Sequence, residues 1–226
     1  MKTMLVLSMG ALLLAGTLSA QTPVPEWQAG VDKVKTLIQS NPAQASEEAG
    51  ELLKGKNKKN VDLVTSVAHV YLDAGKITEA QEYLAMAKKA NNKDPKVSVL
   101  EGDIALAQKN IGQACQLYEQ AIYFDPNCKE AYLKYAQAYK SASPTQAIEK
   151  LEQLKAVDPN CLEADRELAE VYYSGNRFGK AAEMYAKFID TPLATEDDML
   201  KYAFALFLNH DFEKSLQVAQ KGLQKN

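Results

Sequence analysis

The sequence is poor in the residue types from which most active sites and most β folds are built. Its 226 residues include two histidines, one tryptophan and three cysteines. His69 and His210 are far apart in the chain, and neither His-Glu-x-x-His nor Cys-x-x-Cys occurs. A phosphate-cradling glycine loop and a Gly-x-Ser-x-Gly nucleophile elbow are equally missing. The chain is therefore read as a non-enzyme, with no catalytic residue, no metal and no cofactor. Eleven glycines and eight prolines are too few for the turns of many short strands, which argues against sandwiches and barrels. Charge of one sign is also lacking. Lys and Arg number 26 against 29 Asp and Glu, a net charge of −3, without the basic stripe that a nucleic-acid binder needs. What is present is ordinary globular material: 46% of residues are hydrophobic and 24% charged, which excludes disorder for the bulk of the chain.

The first twenty residues read as a secretory signal peptide. Lys2 precedes an apolar run from Met4 to Ala15, followed by the small and mildly polar Gly16-Thr17-Leu18-Ser19-Ala20. Cleavage is expected at Ala20, and the mature protein is expected to be periplasmic or secreted. The run is shorter than the ~20 residues of a membrane span, so membrane contact is expected only if the signal stays uncleaved. Export would place the cysteines in an oxidising setting, yet their number is odd. Cys128 and Cys161 close matching Pro-Asn-Cys triplets. Equivalent atoms of stacked helix pairs lie on the order of 10 Å apart, beyond the ~7 Å limit for a disulfide, so free thiols are expected.

The chain repeats itself, and a fixed period of 20–50 residues marks a repeat array. The small residues Ala68, Gly102, Ala136, Ala169 and Ala203 are spaced 34, 34, 33 and 34. Ala80, Ala114, Ala147, Ala181 and Ser215 are spaced 34, 33, 34 and 34. Both series place one deletion in the turn around Ser143-Pro144. Tyr71, Ala105, Tyr139, Tyr172 and Leu206 follow the same register, as do Leu84, Tyr118, Leu151, Tyr185 and Ala219.

Within each unit the apolar spacing is helical twice over. Leu168, Ala169, Val171 and Tyr172 form one stripe, and Ala181, Met184, Tyr185, Phe188 and Ile189 the next, with Gly175 to Gly179 breaking the chain between them. The turns Ala74-Gly75-Lys76, Gln108-Lys109-Asn110 and Asn209-His210-Asp211 lead into Ile77, Ile111 and Phe212 in the same way. Thr78 with Gln81, Asn127 with Glu130 and Asn160 with Glu163 have the spacing of capping boxes. Asp125-Pro126 and Asp158-Pro159 should end second helices, since proline lacks the donor a helix needs. Ser98 and Glu101 stand where large apolar residues are expected, which predicts a first helix rotated or slipped by one residue in that unit. Ahead of the array, Val31, Val34, Leu37 and Ile38, then Ala45, Ala49, Leu52 and Leu53, read as one more helix pair around Asn41-Pro42. Ser46, 34 residues before Ala80, keeps the small column there.

Tyr132-x-x-Tyr135-Ala136-x-x-Tyr139, Ala147-x-x-x-Leu151 and Pro159 together resemble the tetratricopeptide repeat family. Val64-x-x-Val67-Ala68-x-x-Tyr71 with Ala80-x-x-x-Leu84, and Leu168-Ala169-x-x-Tyr172 with Ala181-x-x-x-Tyr185, match the same pattern. The resemblance implies an all-α fold, a right-handed α-solenoid of about six antiparallel helix pairs. Residues 21–60 would form a divergent N-terminal pair and residues 61–226 five repeats, at 61–94, 95–128, 129–161, 162–195 and 196–226. It also implies that the first helices line a concave groove that binds a protein or peptide. By register, the groove face holds Thr65, His69 and Leu72; Val99, Asp103 and Leu106; Leu133, Gln137 and Lys140; Arg166, Glu170 and Tyr173; and Leu200, Phe204 and Phe207. The last group is unusually apolar for a solvent face and is the expected anchor. The basic-and-Asn pattern that grips a peptide carboxylate in some cytosolic members is replaced by Thr65 and His69. The leading expectation is an exported adaptor or scaffold of the cell envelope. The alternative is a self-associating, homodimeric repeat module or a membrane-anchored assembly factor.

Overall fold

The computed structural model describes residues 24–223, and within them every regular element is a helix. The expected signal peptide lies outside the described residues. Six antiparallel pairs follow one another: α1 (Gln28–Ser40) with α2 (Pro42–Leu52), α3 (Val61–Asp73) with α4 (Ile77–Asn91), α5 (Pro95–Ala107) with α6 (Ile111–Phe124), α7 (Lys129–Tyr139) with α8 (Pro144–Val157), α9 (Leu162–Ser174) with α10 (Phe178–Phe188), and α11 (Glu196–Leu208) with α12 (Phe212–Leu223). A 3-10 turn, Gly55–Lys59, joins the first pair to the second. First helices pack on first helices, α1 on α3, α3 on α5, α5 on α7 and α7 on α9, while each second helix from α4 to α10 also touches the first helix of the following pair. The arrangement is an all-α solenoid.

Small residues make the close approach within pairs possible. Ala68, Ala80, Ala114, Ala147, Ala169 and Ala181 are wholly buried, and Ala136 nearly so. In the α5 unit the small column needs glycine. A Cβ on Gly102 would sit 2.5 Å from Cε1 of Tyr118, whereas in the α9 unit Ala169 is accommodated beside Tyr185. The core is built along the stack, from Val34, Leu63 and Leu100 through Val99, Tyr118 and Tyr135 to Leu151, Leu168, Tyr185, Phe188 and Tyr202. One pair alone could not bury such a face; neighbours complete it.

Four of the six hairpins share one backbone solution. Gly75, Lys109, Asn176 and His210 all take left-handed φ values, between 57° and 74°. In each case two amides fold back on the first helix: Lys76 N–H donates to the Tyr71 carbonyl and Gly75 N–H to that of Leu72, and Asn110, Arg177 and Asp211 with their preceding residues repeat the pattern. This is the Schellman closure of a helix C-terminus. The pair with the deleted residue lacks the left-handed position and turns instead through a bond from Ser143 N–H to the Tyr139 carbonyl, with Pro144 opening α8.

Three sequence expectations are corrected. The capping boxes at Thr78, Asn127 and Asn160 do not form, because α4, α7 and α9 start after Lys76, Cys128 and Cys161, none of which caps through its side chain. Asn127 and Asn160 instead donate backbone N–H groups to Asp125 and Asp158, whose carboxylates hold the Asp-Pro-Asn turns. The reciprocal box is found at Thr195 and Asp198. Helix α5 is not slipped: Val97, Gly102 and Ala105 face inward like Leu63, Ala68 and Tyr71, and Ser98 is simply buried. In the first pair Ala45, not Ser46, fills the small column, since Ser46 is exposed and returns its hydroxyl to the Pro42 carbonyl. The thiols of Cys115, Cys128 and Cys161 are free. Burial pushes Cys115 up to about 11 and raises the other two as well, so all three are poor nucleophiles.

Candidate functional site

The row of first helices carries the residues expected to line a groove, and the structure divides them into two groups. One group holds the repeats together. Asp103 is 7% exposed and receives three donors: Tyr118 Oη at 2.7 Å, Lys134 Nζ at 3.0 Å and His69 Nε2 at 3.0 Å. Two repeats further on, Glu170 occupies the equivalent position and receives Tyr185 Oη at 2.7 Å and Lys201 Nζ at 2.9 Å. Each network links a first helix to its own second helix and to the next first helix. Burial acts to raise the Asp103 carboxyl, but the hydrogen bonds from His69 and Tyr118 and the charge of Lys134 outweigh it and hold the group below its ordinary value. Burial first, and then the neighbouring carboxylate, push the Tyr118 and Tyr185 phenols far up, so both remain donors. Arg166 is likewise engaged, with Asp198 at 3.0 Å.

Thr65 and Val99 join this group. They are 4% and 1% exposed, so with Asp103 they do not offer the solvent-facing contacts expected of them. Thr65 returns its hydroxyl to the Val61 carbonyl at 2.8 Å, and Val99 is covered by the Ala131 and Tyr135 region of α7. The cause is stacking: where α3, α5 and α7 meet, the face that register assigns to the groove is consumed by the neighbouring helix.

The second group is open. Gln137 and Lys140 are exposed, Gln137 donating to Glu167 at 2.7 Å. Leu72, Leu106, Leu133 and Tyr173 are half-buried. Leu200, Phe204 and Phe207 are exposed by 65%, 49% and 52%. Tyr173 and Phe204 stand 6.3 Å apart, Phe178 and Phe204 6.2 Å, and Phe207 and Phe212 5.4 Å, so an aromatic chain runs along α9 and α11 and onto the start of α12.

At the other end of the first-helix row, a hollow of about 280 Å³ is lined by Pro25, Trp27, Asp62, Thr65, Ser66, His69, Lys96 and Glu130. The groove register includes Thr65 and His69 but misses Trp27, Lys96 and Glu130, which reach the hollow from the starts of α1, α5 and α7. The alternation of the polar networks was readable: wherever the second helix has Tyr118 or Tyr185, the first has Asp103 or Glu170 and the next unit Lys134 or Lys201, while Gln137 stands with Leu151 and Glu167. Among the described residues no three His, Cys, Asp or Glu side chains gather to hold a metal ion, and no helix is long and apolar enough to cross a membrane.

An α-solenoid of stacked two-helix units defines a helical-repeat protein. The tetratricopeptide repeat profile matches residues 68–128 and 137–194, more than half of the chain, and the protein belongs to the tetratricopeptide repeat family. No curated protein matches it by sequence. Solved structures with a similar fold include PilW, described as a widely conserved type IV pilus biogenesis factor, at 16% identity with a TM-score of 0.64 over 88% of this chain and 90% of that one. PilF of Pseudomonas aeruginosa is similar at 18% identity and a TM-score of 0.64, over 87% of this chain and 89% of the other. YrrB, described as a protein with an unusual peptide-binding site, is 13% identical with a TM-score of 0.55, over 78% and 91%.

Proposed function

We propose that the protein is a non-enzymatic adaptor or scaffold of the cell envelope, exported by its N-terminal signal, that holds a partner protein or peptide in the concave groove of its repeat array. The observation that carries this reading is the exposed apolar run of Leu200, Phe204 and Phe207, continuous with Tyr173. Water-exposed aromatic side chains on a rigid helix are good anchors, because they lose little conformational freedom on binding and release much ordered water. Gln137 and Lys140 supply polar selectivity two repeats away on α7, while His69, Asp103, Arg166 and Glu170 act by keeping the face rigid. Similarity of fold to pilus proteins and a leader of secretory type both support an envelope setting. The test is a photo-crosslinking residue at Phe204 in intact cells, followed by mass spectrometry of the captured protein. Capture of a defined partner, lost when Leu200 and Phe207 are changed to Ser with the helix content unchanged, is the expected outcome. Unchanged capture by the double variant refutes the anchor. A second reading, a module that pairs with its own copy, is favoured by the apolar surface of the α12 end.

A further inference from the structure

The end of the array presents, position by position, the face that inner repeats bury against the following repeat. Phe178, Ala182, Tyr185, Phe188 and Ile189 of the α9–α10 pair lie under α11, with Ala182, Tyr185, Phe188 and Ile189 no more than 7% exposed. The residues 34 positions later are Phe212, Leu216, Ala219, Gly222 and Leu223. Phe212, Leu216 and Leu223 are 55%, 60% and 76% exposed, and α12 buries none of its residues. Where the inner pair carries the bulky Tyr185 and Phe188, this one carries Ala219 and Gly222, leaving a notch of about 120 Å³ between α11 and α12 that Leu200 and Leu223 flank.

We infer that this end is a self-pairing surface, on which two copies of the chain dock tail to tail with α12 antiparallel to α12 about a two-fold axis near Ala219. The inference deepens the homodimer reading and rests on it, not on the groove. Three observations select a second copy. A two-fold contact packs the strip against a copy of itself, residue i meeting j and j meeting i, so any charge on it would enter the apolar interface twice; the strip of Phe212, Leu216, Ala219 and Leu223 has none. The flanking cations are already engaged, Lys221 with Asp190 and Lys214 over the Tyr202 ring. Knob and notch stand on the same face: in the antiparallel arrangement Leu216 of one copy meets Leu223 of the other and reaches the space over Gly222, where small residues let the helices approach. Head-to-tail stacking has no such match, because the described part of the first pair exposes one large hydrophobic side chain, Val24, and the inner acid that would take the next unit's lysine is replaced by Phe204.

The test is sedimentation of the chain beginning at Gln21, which keeps every described helix. The expected result is a concentration-dependent dimer. Leu216→Lys and Leu223→Glu should each halve the mass while leaving the helix content by circular dichroism unchanged, since both side chains are outside the core. Mixing the two variants in equal amounts should restore a one-to-one dimer, because the lysine introduced in one copy then faces the glutamate introduced in the other. A wild-type chain that stays monomeric at high micromolar concentration overturns the inference. So does a dimer that survives both substitutions, a mixture that does not recombine, or a dimer lost through Phe204→Ser but not through Leu216→Lys. Partner capture at Phe204 that persists in Leu216→Lys separates this surface from the groove.

Discussion

Asp103 concentrates the physics of the array in one side chain. A nearly buried carboxylate would be costly alone, yet three donors from three different repeats converge on it. Gly102, one residue earlier, lies against the same partner, since a Cβ there would sit 2.5 Å from the Tyr118 ring that donates to Asp103. Because the folded carboxyl is held below its ordinary value, its contribution is complete above the unfolded value of about 3.9 and is lost as pH falls through the lower folded value. Asp103→Asn should therefore be less stable than wild type in urea at pH 7. The difference should be constant down to about pH 5 and shrink below pH 4. A difference that grows on acidification would contradict the assignment. The sequence placed Asp103 on the groove face because register alone cannot distinguish a residue that faces solvent from one that faces the next helix.

At the scale of the element, one helix hairpin is used repeatedly and closed with different residues. The turn needs a left-handed position; Gly75 meets it without strain, while Lys109, Asn176 and His210 adopt it with a Cβ. A methyl group on Gly75 would meet no other atom within 4 Å, so Gly75→Ala isolates the backbone cost. It should destabilise by about 1 kcal/mol, and Lys109→Gly should stabilise by up to about 1 kcal/mol. Thermal melts that move both variants in the same direction would show that the turns are held by something other than φ. Helix existence, pairing and the prolines that end α6 and α8 were legible in the sequence, because apolar period and missing donors act locally. Helix starts were less so: the Asn residues of the Pro-Asn-Cys triplets have cap spacing, but the neighbouring Asp side chains hold those turns and delay the helix.

For the whole molecule, stacking implies that stability is distributed along the array and falls where a neighbour is missing. Helix α12 covers α11 and is itself uncovered, with no buried residue. Its amides should show the lowest protection of the described helices in hydrogen exchange, and those of α9 the protection of the interior. Protection of α12 that rises with protein concentration would connect the exchange to self-pairing. The apolar character of Leu200, Phe204 and Phe207 was visible in the sequence. Their continuity with Tyr173, Phe178 and Phe212 was not, because it depends on how α9, α10, α11 and α12 are set against each other.

The sequence by itself determined the repeat: its period, its single deletion, its two helices per unit and its small-residue columns, all of which follow from short-range periodicity and from the need to bury one face of each helix. Only the tertiary structure decided which polar residues are glue and which are surface. His69, Asp103, Arg166 and Glu170 are indistinguishable in register from Gln137 and Lys140, but their partners lie about one repeat away, and only the packed stack brings those charges within hydrogen-bond reach. The same stacking explains the composition: buried alanine fits the helices together, and the phenylalanine side chains of the last pair, with no further helix over them among the described residues, stay exposed.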